Sequence, residues 1–206
     1  MNSLEQQIDQ QYDSDVEQQL SDSALYPRYL QQKSVSRRLE SFVSMLQRHH
    51  LPETTISNIA TEYLSQMIPP GAKAVVRGAR FEEIVRQEIE DMKLDPDVYD
   101  VRFEKDIISC RGSDEVPDFV IRHRLSNRLL LGMVQTDLWN GGHQLNRGYK
   151  YVFHPYNRRH KMLCVVAHRP RLTSPASKVS RMVAHGLEHK TLCYVRGLQA
   201  AIQAFF

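Results

Sequence analysis

Cysteine is scarce, with residues only at 110, 164 and 193. An odd number at such wide spacing excludes a disulfide framework. There is no C-x-x-C pair, so a structural zinc ribbon is not expected. No apolar run reaches even 12 residues, far short of the roughly 20 a membrane-spanning helix needs. The start, MNSLEQQIDQQYDSD, is polar and acidic and reads as no secretory leader. The expected setting is therefore a reducing, intracellular one, cytoplasm or nucleus, with no membrane partner. No internal repeat is visible. A chain of 206 residues suits one ordinary domain, or one domain with a short appendage.

The most telling scarcity is local. Residues 138–187 contain no Asp or Glu, yet they carry Arg147, Lys150, Arg158, Arg159, Lys161, Arg169, Arg171, Lys178 and Arg181. A stretch of one sign raises the local potential and favours a polyanion, nucleic acid above all. Residues 1–34 are the opposite. They hold Glu5, Asp9, Asp13, Asp15, Glu17 and Asp22 against only Arg28 and Lys33. The overall net charge of +3 hides this division.

Residues 1–34 also hold eight glutamines and little apolar content, which predicts a disordered or loosely helical tail. Residues 35–74 read as a helical extension. Leu39, Phe42, Val43 and Leu46 recur at helical spacing, and Ile56, Ile59, Ala60, Tyr63, Leu64 and Met67 form a second run ended by Pro69-Pro70-Gly71. Residues 75–206 read as an α/β domain. A helix from near Gly78 carries the stripe Phe81, Ile84, Val85, Ile89 and Met92. Strand-like runs follow at 98–108, 116–121 and 128–138, the last two forming a hairpin. A helix after Asn140-Gly141-Gly142 comes next. Then come a continuous apolar strand at 161–167, a helix at 177–187, a strand at 191–195 and a helix at 198–206. This order predicts a mixed sheet, antiparallel at first, with helices on both faces.

Within that frame certain carboxylates stand out. Asp118 lies inside the apolar run VPDFVI, where a buried charge without a metal, a base or water costs several kcal/mol. Gln135 and Asp137 are two residues apart on the third strand, so period-two geometry projects both to one face. A hairpin would bring Asp118 beside them. Hard oxygens of this kind suit Mg²⁺, one or two ions, better than zinc. Glu82 falls at the edge of the Phe81 stripe and could reach the cluster, while Glu88, inside the same stripe, competes with it. Gln144, Arg147 and Lys150 recur along one face of the following helix, whose N-terminal amides could meet a phosphate. Each has a plainer reading: Asp118 starts a strand near solvent, Asp137 ends one, and the polar helix face is merely solvated.

These residues carry a resemblance. Arg77-Gly78-Ala79-Arg80-Phe81-Glu82-Glu83-Ile84-Val85 resembles the Gly-x-x-Phe-Glu helix opening the PD-(D/E)XK nuclease core, and Val116-Pro117-Asp118-Phe119-Val120-Ile121 resembles that superfamily's PD strand. The likeness covers about residues 75–170 and includes the αβββαβ element order. It implies a restriction-endonuclease-like core and Mg²⁺-dependent hydrolysis of DNA. Glu82, Asp118, Gln135 and Asp137 would hold metal, and Lys150 would stabilise the transition state. Gln144, Arg147, Arg158 and Arg159 would contact DNA. The third strand departs from the pattern: Gln135-Thr136-Asp137 stands where the superfamily has acid-x-lysine. Lys150, with Arg147 as understudy, would have to replace that lysine. Two other readings remain: a nuclease-fold DNA binder that does not cut, and a protein-interaction domain whose Gln-rich tail recruits partners. A homodimer would suit a double-strand cutter. Cys110, Cys164 and Cys193 read as inert thiols, His143 and His154 as phosphate contacts or exposed residues, and Trp139 as a core or hinge anchor.

Overall fold

The structure, a computed structural model, describes residues 2–103, 116–153 and 160–206. It divides into two units, residues 18–80, and residues 1–17 together with 81–206. The described part of the second unit is α/β, built on a five-stranded mixed sheet in the order β1-β2-β3-β4-β5 with flanking helices.

The sheet follows from its residue pattern. Strands β1 (Tyr99–Phe103), β2 (Phe119–His123) and β3 (Arg128–Gln135) form an antiparallel meander, with Val101 opposite Ile121 and Val120 opposite Leu131. The turn between β2 and β3 places Asn127 at φ 55°, a left-handed conformation asparagine tolerates. β4 (His160–Val166) pairs parallel with β3, and β5 (Leu192–Tyr194) parallel with β4. Every β4 residue after His160 is buried, which is why that strand reads as an unbroken apolar run. Lys161 belongs to this run at 7% exposure. Its Nζ donates to the His189 carbonyl at 2.7 Å, and burial holds its pKa below the ordinary lysine value.

Gly132 is fixed by a close approach. A Cβ there would overlap the Phe119 ring, so only glycine lets that ring lie across β3. Helices α7 (Gly142–Val152) and α8 (Lys178–Glu188) close a core with Met133, Leu138, Met162, Cys164, Val166 and Tyr194. A 3-10 turn (Val195–Gly197) and α9 (Leu198–Phe205) finish the chain.

Residues 2–30, which composition marks as a tail, form α1 (Asn2–Gln11), α2 (Ser14–Gln19) and α3 (Asp22–Leu30). Their few apolar residues explain this: Ile8, Val16, Leu20, Leu25 and Tyr29 are all buried, so a sparse stripe suffices where each member is covered. Ile8 joins the core of the sheet unit. Gln11 Oε1 accepts from the Tyr194 amide on β5, Asp13 pairs with Arg196 and Asp9 with Arg169.

In the helical unit, α4 (Lys33–Gln47) and α5 (Glu53–Met67) run where the periodicity puts them. The next helix differs. α6 spans Pro70–Asp91 rather than starting near Gly78, because proline at a first helical position needs no N–H partner and presets φ. Asp22 accepts from Lys73 (2.7 Å), Arg77 (2.5 Å) and the Tyr29 hydroxyl (3.0 Å). Desolvation pushes the Asp22 carboxyl up, but the Lys73, Tyr29 and Arg77 contacts outweigh it and hold its pKa below the usual value. Burial and the bond to Asp22 raise Tyr29 to about 12. Among the described residues no helix is long and apolar enough to cross a membrane.

Candidate functional site

β2 begins at Phe119, three residues after the start of the apolar run at 116–121, and the residues before it define the site. Pro117 has no N–H for the ladder. Asp118 N donates to the Gly132 carbonyl at 2.9 Å, and Asp118 Oδ2 accepts from the Val134 amide at 2.5 Å. The carboxylate thus takes the place of a backbone carbonyl at the end of the β2–β3 ladder, and Val134 fixes its orientation. On α6, Phe81, Ile84, Val85 and Ile89 are buried, which leaves Glu82 half-buried at the stripe's edge. Glu88, the competing candidate, is exposed.

Glu82 and Asp118 both line one pocket of about 20 Å³, with Val85, Arg86, Phe103, Phe119 and Val134 as the other walls. That is room for one water-sized group. Arg86 lies one turn from Glu82 on the same helix face, and its guanidinium sits 4.7 Å from the centre of the Phe103 ring. The i, i+4 spacing of Glu82 and Arg86 is the signal that marks it in the sequence.

Gln135 and Asp137 are placed differently from the expectation. β3 ends at Gln135. The β3 wall of the pocket is Val134, and the strand's period of two gives Gln135 the parity of Met133, a member of the α7–α8 core. Asp137 lies beyond the strand, where period two no longer applies. Its Oδ1 accepts from the amides of Trp139 (3.3 Å) and Asn140 (3.0 Å), a local turn that leads into α7. Neither residue lines the pocket with Asp118.

The helix α7 residues are also spread out. Lys150 is exposed near its C-terminal end, and it is not among the pocket walls. Arg147 Nε donates to the Tyr151 hydroxyl at 3.2 Å, so its guanidinium is held along its own helix. The Oε1 of Gln144 and the Nε1 of Trp139 are buried with no hydrogen-bond partner among the described residues. His143 is exposed in the first turn. Cys110, His154, Arg158 and Arg159 lie outside the described residues. Cys164 and Cys193 are buried. Burial pushes both thiols up, Cys193 to about 12, which leaves no thiolate for chemistry near neutral pH.

Among the described residues no three His, Cys, Asp or Glu side chains gather as a metal-binding group. The donor set at the pocket is therefore two carboxylates. Two hard carboxylates suit Mg²⁺, whose remaining waters would have to lie outside so small a pocket. Zinc sites draw more often on His and Cys, and neither lines this pocket. Comparison with protein families, with curated proteins and with solved structures found no match to this chain.

Proposed function

We propose that the chain is a Mg²⁺-dependent DNA endonuclease of the PD-(D/E)XK kind, with α6, β1, β2, β3, α7 and β4 as its restriction-endonuclease-like core. One observation carries the reading: Glu82 from α6 and Asp118 from the start of β2 line a single small pocket beside Arg86. The antiparallel meander followed by a parallel β3–β4 pair supports it.

Glu82 and Asp118 would hold the ion. Bound there, Mg²⁺ supplies Lewis-acid stabilisation of phosphate charge and lowers the pKa of water. The Val134 amide keeps the Asp118 carboxylate aimed before substrate arrives, so little reorganisation remains for the reaction. Arg86, not Lys150, stands at the pocket, so its fixed positive charge would meet the charge that builds on the phosphate. The acid-free stretch after Asp137 would contact the DNA backbone, and binding would weaken steeply with salt.

The test is plasmid DNA with Mg²⁺, wild type against Asp118→Ala. Wild type should nick or linearise the plasmid, and the variant should lose at least about a hundredfold in rate. Equal cleavage by the two removes the reading. A second reading, a nuclease-fold DNA binder that does not cut, is favoured by two details. The β3 wall of the pocket is the apolar Val134, and Asp137 is engaged in a turn. Calorimetric titration with Mg²⁺ separates the two, since a binder needs no metal.

A further inference from the structure

The α4–α5 pair is unfinished on one side. Of the α4 stripe Leu39, Phe42, Val43 and Leu46, only Leu46 is buried, and Met45 is 43% exposed. An open groove of about 480 Å³ lies there, lined by Arg38, Ser41, Phe42, Met45, Arg48 and Met67. Arg38, Phe42, Met45 and Arg48 fall at i, i+4, i+7 and i+10, a single helical stripe. It reads cation, apolar, apolar, cation, with Met67 of α5 widening the apolar floor. Arg38 donates to the Met67 carbonyl and Arg48 to the Ser44 carbonyl, so both arginines are held at the rim. They stand about 15 Å apart along the axis, near three turns.

We infer that this groove docks an amphipathic helix of another protein, one that carries apolar residues between two carboxylates about three turns apart. Charge decides the occupant. No acid lines the groove, and α4 with its C-terminal cap carries Lys33, Arg37, Arg38 and Arg48 against Glu40 alone. A second copy fits poorly. A two-fold axis would lay α4 antiparallel on its equivalent, setting Arg38 against Arg48 of the other copy, cation on cation. Nucleic acid fits poorly too, because only two cations line the groove and the floor between them, Phe42, Met45 and Met67, is apolar.

The inference goes beyond the nuclease reading and shares no residue with it. Its test uses the full chain and a labelled synthetic helical peptide of about five turns, with leucines on one face and glutamates about three turns apart. A second peptide carries lysines in place of the glutamates. By fluorescence anisotropy the wild-type chain should bind the acidic peptide saturably and reject the basic one. Met45→Glu should weaken binding at least about tenfold. Arg38→Glu with Arg48→Glu should reverse the preference, so that the lysine peptide now binds. Circular dichroism confirms that each variant is folded, and Asp118→Ala should bind as wild type does. No saturable binding, or a preference unchanged by charge reversal, overturns the inference. A dimer in light scattering that Met45→Glu converts to monomer would give the groove to a second copy instead. DNA affinity that falls in the arginine double variant would give it to nucleic acid.

Discussion

β4 and α4 are both rich in apolar residues, but they are finished differently. From Lys161 to Val166 β4 is buried without a break, flanked by β3 and β5 and packed in part against α7 and α8. α4 buries only Val35 and Leu46 of its length. The contrast teaches that an apolar stripe can specify a core or a docking face, and that coverage decides which. In the first case removing carbon costs stability. In the second it costs a contact the isolated chain does not make.

The sharpest way to probe that contrast is Leu163→Ala. Leu163 is fully buried on β4, and the lost packing and residual cavity should cost about 2–5 kcal/mol in urea denaturation. Gly132→Ala should come next, at about 1–3 kcal/mol, since the new methyl must displace the Phe119 ring. Asp22→Asn should lower stability at neutral pH, where the pairs to Lys73 and Arg77 are intact, and flatten the acid limb. The folded pKa of Asp22 is depressed below 3.8, so its contribution is full above that value and is lost as pH falls through the lower, folded one. Melting scans from pH 6 downward should show the wild type losing stability in that window, and the variant losing less there. Met45→Ser should do least, within about 0.5 kcal/mol of wild type. If Met45→Ser destabilised as much as Leu163→Ala, the distinction between covered and uncovered stripes would fail.

The strands were legible because their signals are local. Unbroken apolar runs, the Leu-Ser-Asn turn and the Phe81 stripe each speak for their own segment. The site was only half legible. Glu82 and Asp118 line one pocket because each sits at an edge, of a stripe and of a strand, and edges show in the pattern. Gln135 and Asp137 do not join them: Gln135 has the parity of Met133 rather than of Val134, and Asp137 lies beyond the strand's end. The strand stops at Gln135. Arg86 also lines this pocket, one turn from Glu82 on α6 rather than on the third strand. The first thirty residues were obscured by composition. Five buried apolar residues among six glutamines form no conspicuous run, although helical spacing places them where they can be covered.

Gln11 has a consequence beyond its single hydrogen bond. Among the described strands β5 is one edge of the sheet, and Gln11 takes the Tyr194 amide there. An uncovered outer strand is a template on which another chain can polymerise by adding its own backbone. The glutamine, with Asp13 clasping Arg196 beside it, works as a stopper on that end of the sheet. A chain trimmed of this first helix would carry a sticky rim, and its loss would show first as precipitation rather than as unfolding.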